Sequence, residues 1–198
     1  MKSPYPDLIE RLLLQPGTLE RLFPTEWFDP VQVSRVREAT EAELTGGRLP
    51  KDPACVPLLR ALLLYRFDAI DDAHRIVQDD ASGPGAYLHG MIHRREGDLD
   101  NARYWFRRTG PLTFFGDLHR VASAVSPDAA KQSDWDPYLF VGLVEQARFG
   151  ASDLLPMCVA LQMAEFDVVL ADVWRRGFGV AGLAGESFQD FSLTPPRG

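Results

Sequence analysis

Residues 57–80 and 86–109 carry one pattern written twice, at a shift of about 29 residues. Ala61 falls on Gly90, Asp71 on Asp100, Ala73 on Ala102 and Val77 on Phe106. Each copy reads as an apolar helix, a tight turn and a second helix with one packed face; in the first copy that face carries Ile70, Ala73 and Val77. Small residues at the first and third of the matched pairs let the two helices of a copy approach closely. A repeat of this length is the pattern of stacked helical pairs, and no strand-like alternation of useful length appears anywhere in the chain. The expected fold is therefore all-α: a compact helical domain built on two α-hairpins with flanking helices.

The flanks are organised by proline, glycine and capping residues. Residues 1–56 read as N-terminal wrapping helices. Asp7 is placed to cap LIERLLLQ, which Pro16-Gly17 ends. Asp29-Pro30 opens VQVSRVREATEAEL, read as one helix that stops at Gly46-Gly47, and RLPKDPACVP reads as loop. Asp68 is expected to cap the second helix of the first copy. SGPG is read as a loop before the second copy, in which Gly97 stops one helix and Asp98 caps the next. Residues 111–176 read as C-terminal helices separated by a polar loop, SPDAAKQSDWD, with Ser152 capping the last. Residues 177–198, Gly-rich and then Pro-rich, are expected to form an extended tail pinned by Phe188 and Phe191.

Composition limits the function classes. A net charge of -7 over 198 residues argues against affinity for nucleic acid, whose phosphates need a basic surface, and against adsorption to anionic lipid. Cys55 and Cys158 are too few and too far apart for a disulfide framework or a Cys-based metal site. The apolar stretch 154–174 is interrupted by Gln162, Glu165, Asp167 and Asp172, so it does not read as a membrane span. These features predict a soluble, cytoplasmic protein.

The chemistry concentrates in 86–109. His89 and His93 are four apart on one helix, which sets both imidazoles on one face. Glu96 lies seven residues from His89, about 10.5 Å along a helix axis, so a third ligand to a shared ion must come from elsewhere. His74 on the preceding helix is the best candidate, with Asp98 or Asp72 behind it. Three readings of the histidines stay open: structural side chains hydrogen-bonded between helices, divalent-metal ligands, or acid/base and ligand-contacting groups. Arg94, Arg95, Arg107 and Arg108 are able to converge on a phosphate or carboxylate, or to pair within the chain with Glu96, Asp98 and Asp100. Phe106 belongs to the core by its repeat position; Tyr104 or Trp105 must then lie at a groove or a helix interface. Gln78, four after His74, and Asn101, which is also placed to cap its own helix, complete the candidate cleft.

Gly90, Ala102 and Phe106, with the Gly97-Asp98 turn, resemble the packing positions of tetratricopeptide and Sel1-type repeats over about residues 57–109. The repeat is shorter than the usual tetratricopeptide length of about 34, so the pair is TPR-like and not a true member. The string HGMIHRREGDLDNARYWFRR, with AHRIVQ before it, is also similar to a family of bacterial and fungal proteins without an assigned activity; that resemblance carries no mechanism.

Three functions follow as expectations. In the first, His74, Gln78, His89, His93, Arg94, Arg95, Asn101, Tyr104 and Arg108 line a cleft for a small anionic molecule or an acidic peptide end. In the second, His74, His89 and His93 hold a divalent metal that activates water, with Glu96 or Asp98 as general base. In the third, the histidines are structural and a groove serves as a protein-interaction scaffold.

Overall fold

Capping chemistry fixes most of the helix starts. The computed structural model describes residues 3–179. Asp29 accepts from the backbone N–H groups of Val31 and Gln32 and opens α2 (Pro30–Glu38), following α1 (Asp7–Leu13). The segment read as one helix up to Gly46 is two. Ala39 turns to ψ 128° and Thr40 starts α3 (Glu41–Thr45) with a reciprocal capping box to Glu43. The break lets Val33, Val36 and Leu44 all reach the core.

The repeat region forms two consecutive packed helix pairs, α4 (Cys55–Arg66) with α5 (Ile70–Val77), and α6 (Gly83–Glu96) with α7 (Leu99–Arg108). The end of the expected linker is already helical, since α4 starts at Cys55. SGPG is likewise not a loop: Ser82 caps α6 by accepting from Gly85 N–H, and Pro84 sits in the first turn, where a missing N–H costs nothing. Gly97, at φ +81°, ends α6, and Asp98 caps α7 through Asn101 N–H. Gly90 is required by space. A Cβ there would stand 2.7 Å from the Phe106 ring, so the α6–α7 approach is as close as the matched small residues imply.

Asp68 is not a cap. It adopts φ +61°, a left-handed conformation that Asp tolerates better than most residues, and its carboxylate takes Arg21 and Arg95.

Beyond the pairs lie α8 (Phe115–Val125), α9 (Pro127–Ala130), α10 (Pro137–Arg148), a 3₁₀ turn at Ser152–Leu154, and α11 (Leu155–Phe178). The polar loop expected at SPDAAKQSDWD contains α9, capped by Ser126, and it buries Trp135. Ser152 begins the 3₁₀ turn; α11 itself follows Leu154 without a side-chain cap. Phe188 and Phe191, expected to pin the tail, lie outside the described residues.

At about 36 Å, α11 is the axis on which α4, α8 and α10 pack. By length and composition alone it resembles a membrane-crossing helix, with a mean hydropathy of 1.7 over its most apolar window. Gln162, Glu165 and Asp172 within it nevertheless face protein. Glu165 is buried against Arg94, and Gln162 donates to the carbonyls of Leu19 and Arg21. The core is one continuous cluster running from Leu8 to Phe178, and among the described residues there is no strand. The fold is all-α.

Candidate metal centre

The three histidines that the sequence distributes over two helices meet in space. His89 and His93 stand on successive turns of α6 with rings stacked 4.6 Å apart, and His74 crosses from α5 edge-on to both, at 4.6 and 4.8 Å. One nitrogen from each ring lies within 4.8 Å of the other two. The closest pair is His74 Nε2 and His89 Nε2, at 2.8 Å.

Glu96 organises two of the rings. One carboxylate oxygen lies 2.7 Å from His93 Nδ1 and the other 3.4 Å from His74 Nδ1. A carboxylate only accepts, so the proton at each contact belongs on Nδ1, which leaves Nε2 of His93 and His74 with a lone pair. Asn101 Nδ2 donates to His93 Nε2 at 3.1 Å. The 2.8 Å contact then takes its proton from His89 Nε2, and His89 Nδ1 is buried without a partner. Burial, with His93 and His74 alongside, pushes the His89 pKa down from 6.5 to about 4 against the pull of Glu96. The His93 hydrogen bond in turn holds the Glu96 carboxyl below its usual 4.5. At neutral pH His89 is therefore an uncharged imidazole and Glu96 a carboxylate.

This donor set suits a divalent ion of borderline softness. A tetrahedral ion sets nitrogen ligands about 3.3 Å apart, between the 2.8 Å of the closest pair and the 4.8 Å outer limit of the trio. Ring adjustments of up to about 1.5 Å bring one to the other. Carboxylates behind ligating histidines, on the nitrogen away from the ion, are the usual outer partners of such sites. His74 is about a third exposed, which opens one side of the trio to solvent, whereas His89 and His93 are buried.

A wall of rings continues from His89. Trp105 stacks on it at 3.9 Å with 21° between planes, and the Arg108 guanidinium lies 5.4 Å from the Trp105 ring and 5.6 Å from Tyr104. Phe106 points the other way, into the core.

The remaining candidates lie elsewhere. Arg94 and Arg95 do not line a cleft: each is 1 % exposed. Arg94 forms a bidentate pair with Glu165 and lies 4.0 Å over the Phe140 ring. Arg95 pairs with Asp68 and donates to the Tyr65 and Arg21 carbonyls. Their partners are far along the chain, not the nearby Glu96, Asp98 and Asp100, so sequence proximity gave no clue to them. Asp98 is occupied as the α7 cap, and Gln78, exposed at the end of α5, meets the trio only through its backbone N–H on the His74 carbonyl, its side chain bonding to none of the three rings. Asp72, also weighed as a ligand, pairs with Arg37 and Arg75.

A separate open cavity of about 420 Å³ lies between the 24–30 loop and the start of α5. Glu26, Asp68, Asp71 and Trp27 line it, and none of the histidines does; its acidic walls suit no anion. No family model, curated protein or solved structure matches the chain.

Proposed function

We propose that the chain is a metal-dependent enzyme whose centre is a divalent ion held by His74, His89 and His93. The observation that carries this reading is Glu96: it takes the Nδ1 edges of His74 and His93 together and so leaves a lone pair on each Nε2, which an ion would take in place of the hydrogen bonds from His89 and Asn101. Three imidazoles with one solvent-facing side are the donor set of a catalytic centre, because a fourth position remains for water. An ion there acts as a Lewis acid and lowers the pKa of that water into the neutral range. The reaction class is hydrolysis or oxidation at the ion. Glu96 then orients ligands and is not the general base, since both its oxygens already face histidine nitrogens.

Elemental analysis of untagged protein purified without chelators tests this. About one zinc, iron, manganese or nickel ion per chain is expected, and His89→Ala loses it. Glu96→Gln is expected to weaken metal affinity 10–100-fold while the protein stays folded. A competing reading, structural histidines, has the 2.8 Å His74–His89 hydrogen bond in its favour. It predicts no metal in wild type, no thermal stabilisation by any of the four ions, and a loss of stability in His89→Gln.

A further inference from the structure

Arg108 stands two ring contacts from His89. Its guanidinium is held against Trp105 and Tyr104, with Nη1 3.4 Å from the Tyr104 hydroxyl, and Trp105 lies face to face with His89. Among the described residues no carboxylate lies within ion-pair distance of Arg108. Arg94 and Arg95 on α6 and Arg103 on α7 are each matched to an acid, and Arg107, which like Arg108 has no ion pair among the described residues, lies only over Tyr104; Arg108 is the one held against Trp105 and so against the histidine stack. Arg108 is exposed, so its fork of donors faces solvent while aromatic contacts restrict where it points.

From this arrangement we infer that the substrate is a small molecule bearing a carboxylate or phosphate, bound with its oxyanion on Arg108 and its reacting group toward the open side of the histidine trio. This rests on the metal reading above and adds the substrate class to it. A guanidinium fixed over a ring is pre-organised, so less freedom is lost when it binds a planar oxyanion by two parallel N–H donors. The stack places that anchor on one flank of the centre, beside its buried member, whereas the exposed flank at His74 admits the molecule. The chain's overall charge of -7 makes a local unpaired cation a selective feature and not a general attraction for anions.

The test uses full-length protein loaded with cobalt(II), whose visible spectrum reports both ion binding and what approaches the ion. Inorganic phosphate and acetate are titrated into wild type, Arg108→Gln, Arg108→Lys and, as a control for a neighbouring unpaired cation without the Trp105 contact, Arg107→Gln. In wild type a saturable spectral change is expected with at least one of the two anions. Arg108→Gln should weaken it tenfold or more with cobalt affinity unchanged, Arg108→Lys should recover part of it, and Arg107→Gln should change it less than threefold. If cobalt binds through the histidines but neither anion perturbs its spectrum, or Arg108→Gln and Arg107→Gln behave alike, the substrate inference is overturned and the metal reading stands. If cobalt fails to give a histidine-dependent spectrum, the metal reading falls and takes the inference with it.

Discussion

Asp167 illustrates how much one partly buried carboxylate can govern. It lies on α11 without a hydrogen-bond donor, and burial lifts its pKa from 3.8 to about 6, with Arg66 only partly countering the shift. Raised above its unfolded value, this carboxyl binds its proton in the folded state first. Its effect on stability is thus most favourable below about pH 4 and is lost as pH rises through about 6. Asp167→Asn is expected to stabilise the protein at pH 7.5, by up to about 3 kcal/mol, and to do little at pH 4. Thermal unfolding at the two pH values checks it; equal shifts at both would show that ionisation is not the cause. His89 has the opposite sign. Its pKa is lowered to about 4, so the folded state resists the proton and loses stability as pH falls from about 6.5 toward 4. At this scale the sequence identified the candidate histidines but not their states, because a pKa depends on burial and neighbours that no spacing rule supplies.

At the scale of elements, the matched positions of the two repeats are where reading and structure agree most closely. Gly90 opposes Phe106, and a methyl group there would push the ring against Tyr87, whose own ring is 5.1 Å away. Gly90→Ala is expected to destabilise by about 1–2 kcal/mol in denaturant titration, overpacking outweighing the gain of up to about 1 kcal/mol in helix propensity. Elsewhere the boundaries moved for identifiable reasons. Pro84 sits at a helix start instead of breaking one, and Thr40 caps a new helix inside a run that periodicity alone joins. Trp135 is drawn from a polar-looking segment into the core because its Nε1–H can reach the Tyr87 hydroxyl, 2.7 Å away.

At the scale of the molecule, one polar chain ties three regions together. Trp135 donates to Tyr87, Tyr87 donates to Glu165, and Arg94 closes on the same carboxylate. It joins the segment before α10, the α6 helix that carries two of the histidines, and the axial helix α11. Removing one partner strands a buried charge, so Arg94→Ala is expected to cost about 3–5 kcal/mol. The double change Arg94→Met with Glu165→Leu should recover most of that in the same unfolding assay. A double variant no more stable than the single one would mean that the network's geometry, not the unpaired charge, is what matters. The sequence by itself determined the helical class, the paired helices and the clustering of ionisable groups on α6 and α7, because these follow from local periodicity, small-residue spacing and caps. Only the tertiary structure decided that His74 meets His89 and His93, that Glu96 backs two of them, and that Arg94 and Arg95 belong to the core. Those outcomes depend on how helices cross and on partners up to 71 residues away, and helix crossing is set by packing of whole faces, which no single segment encodes.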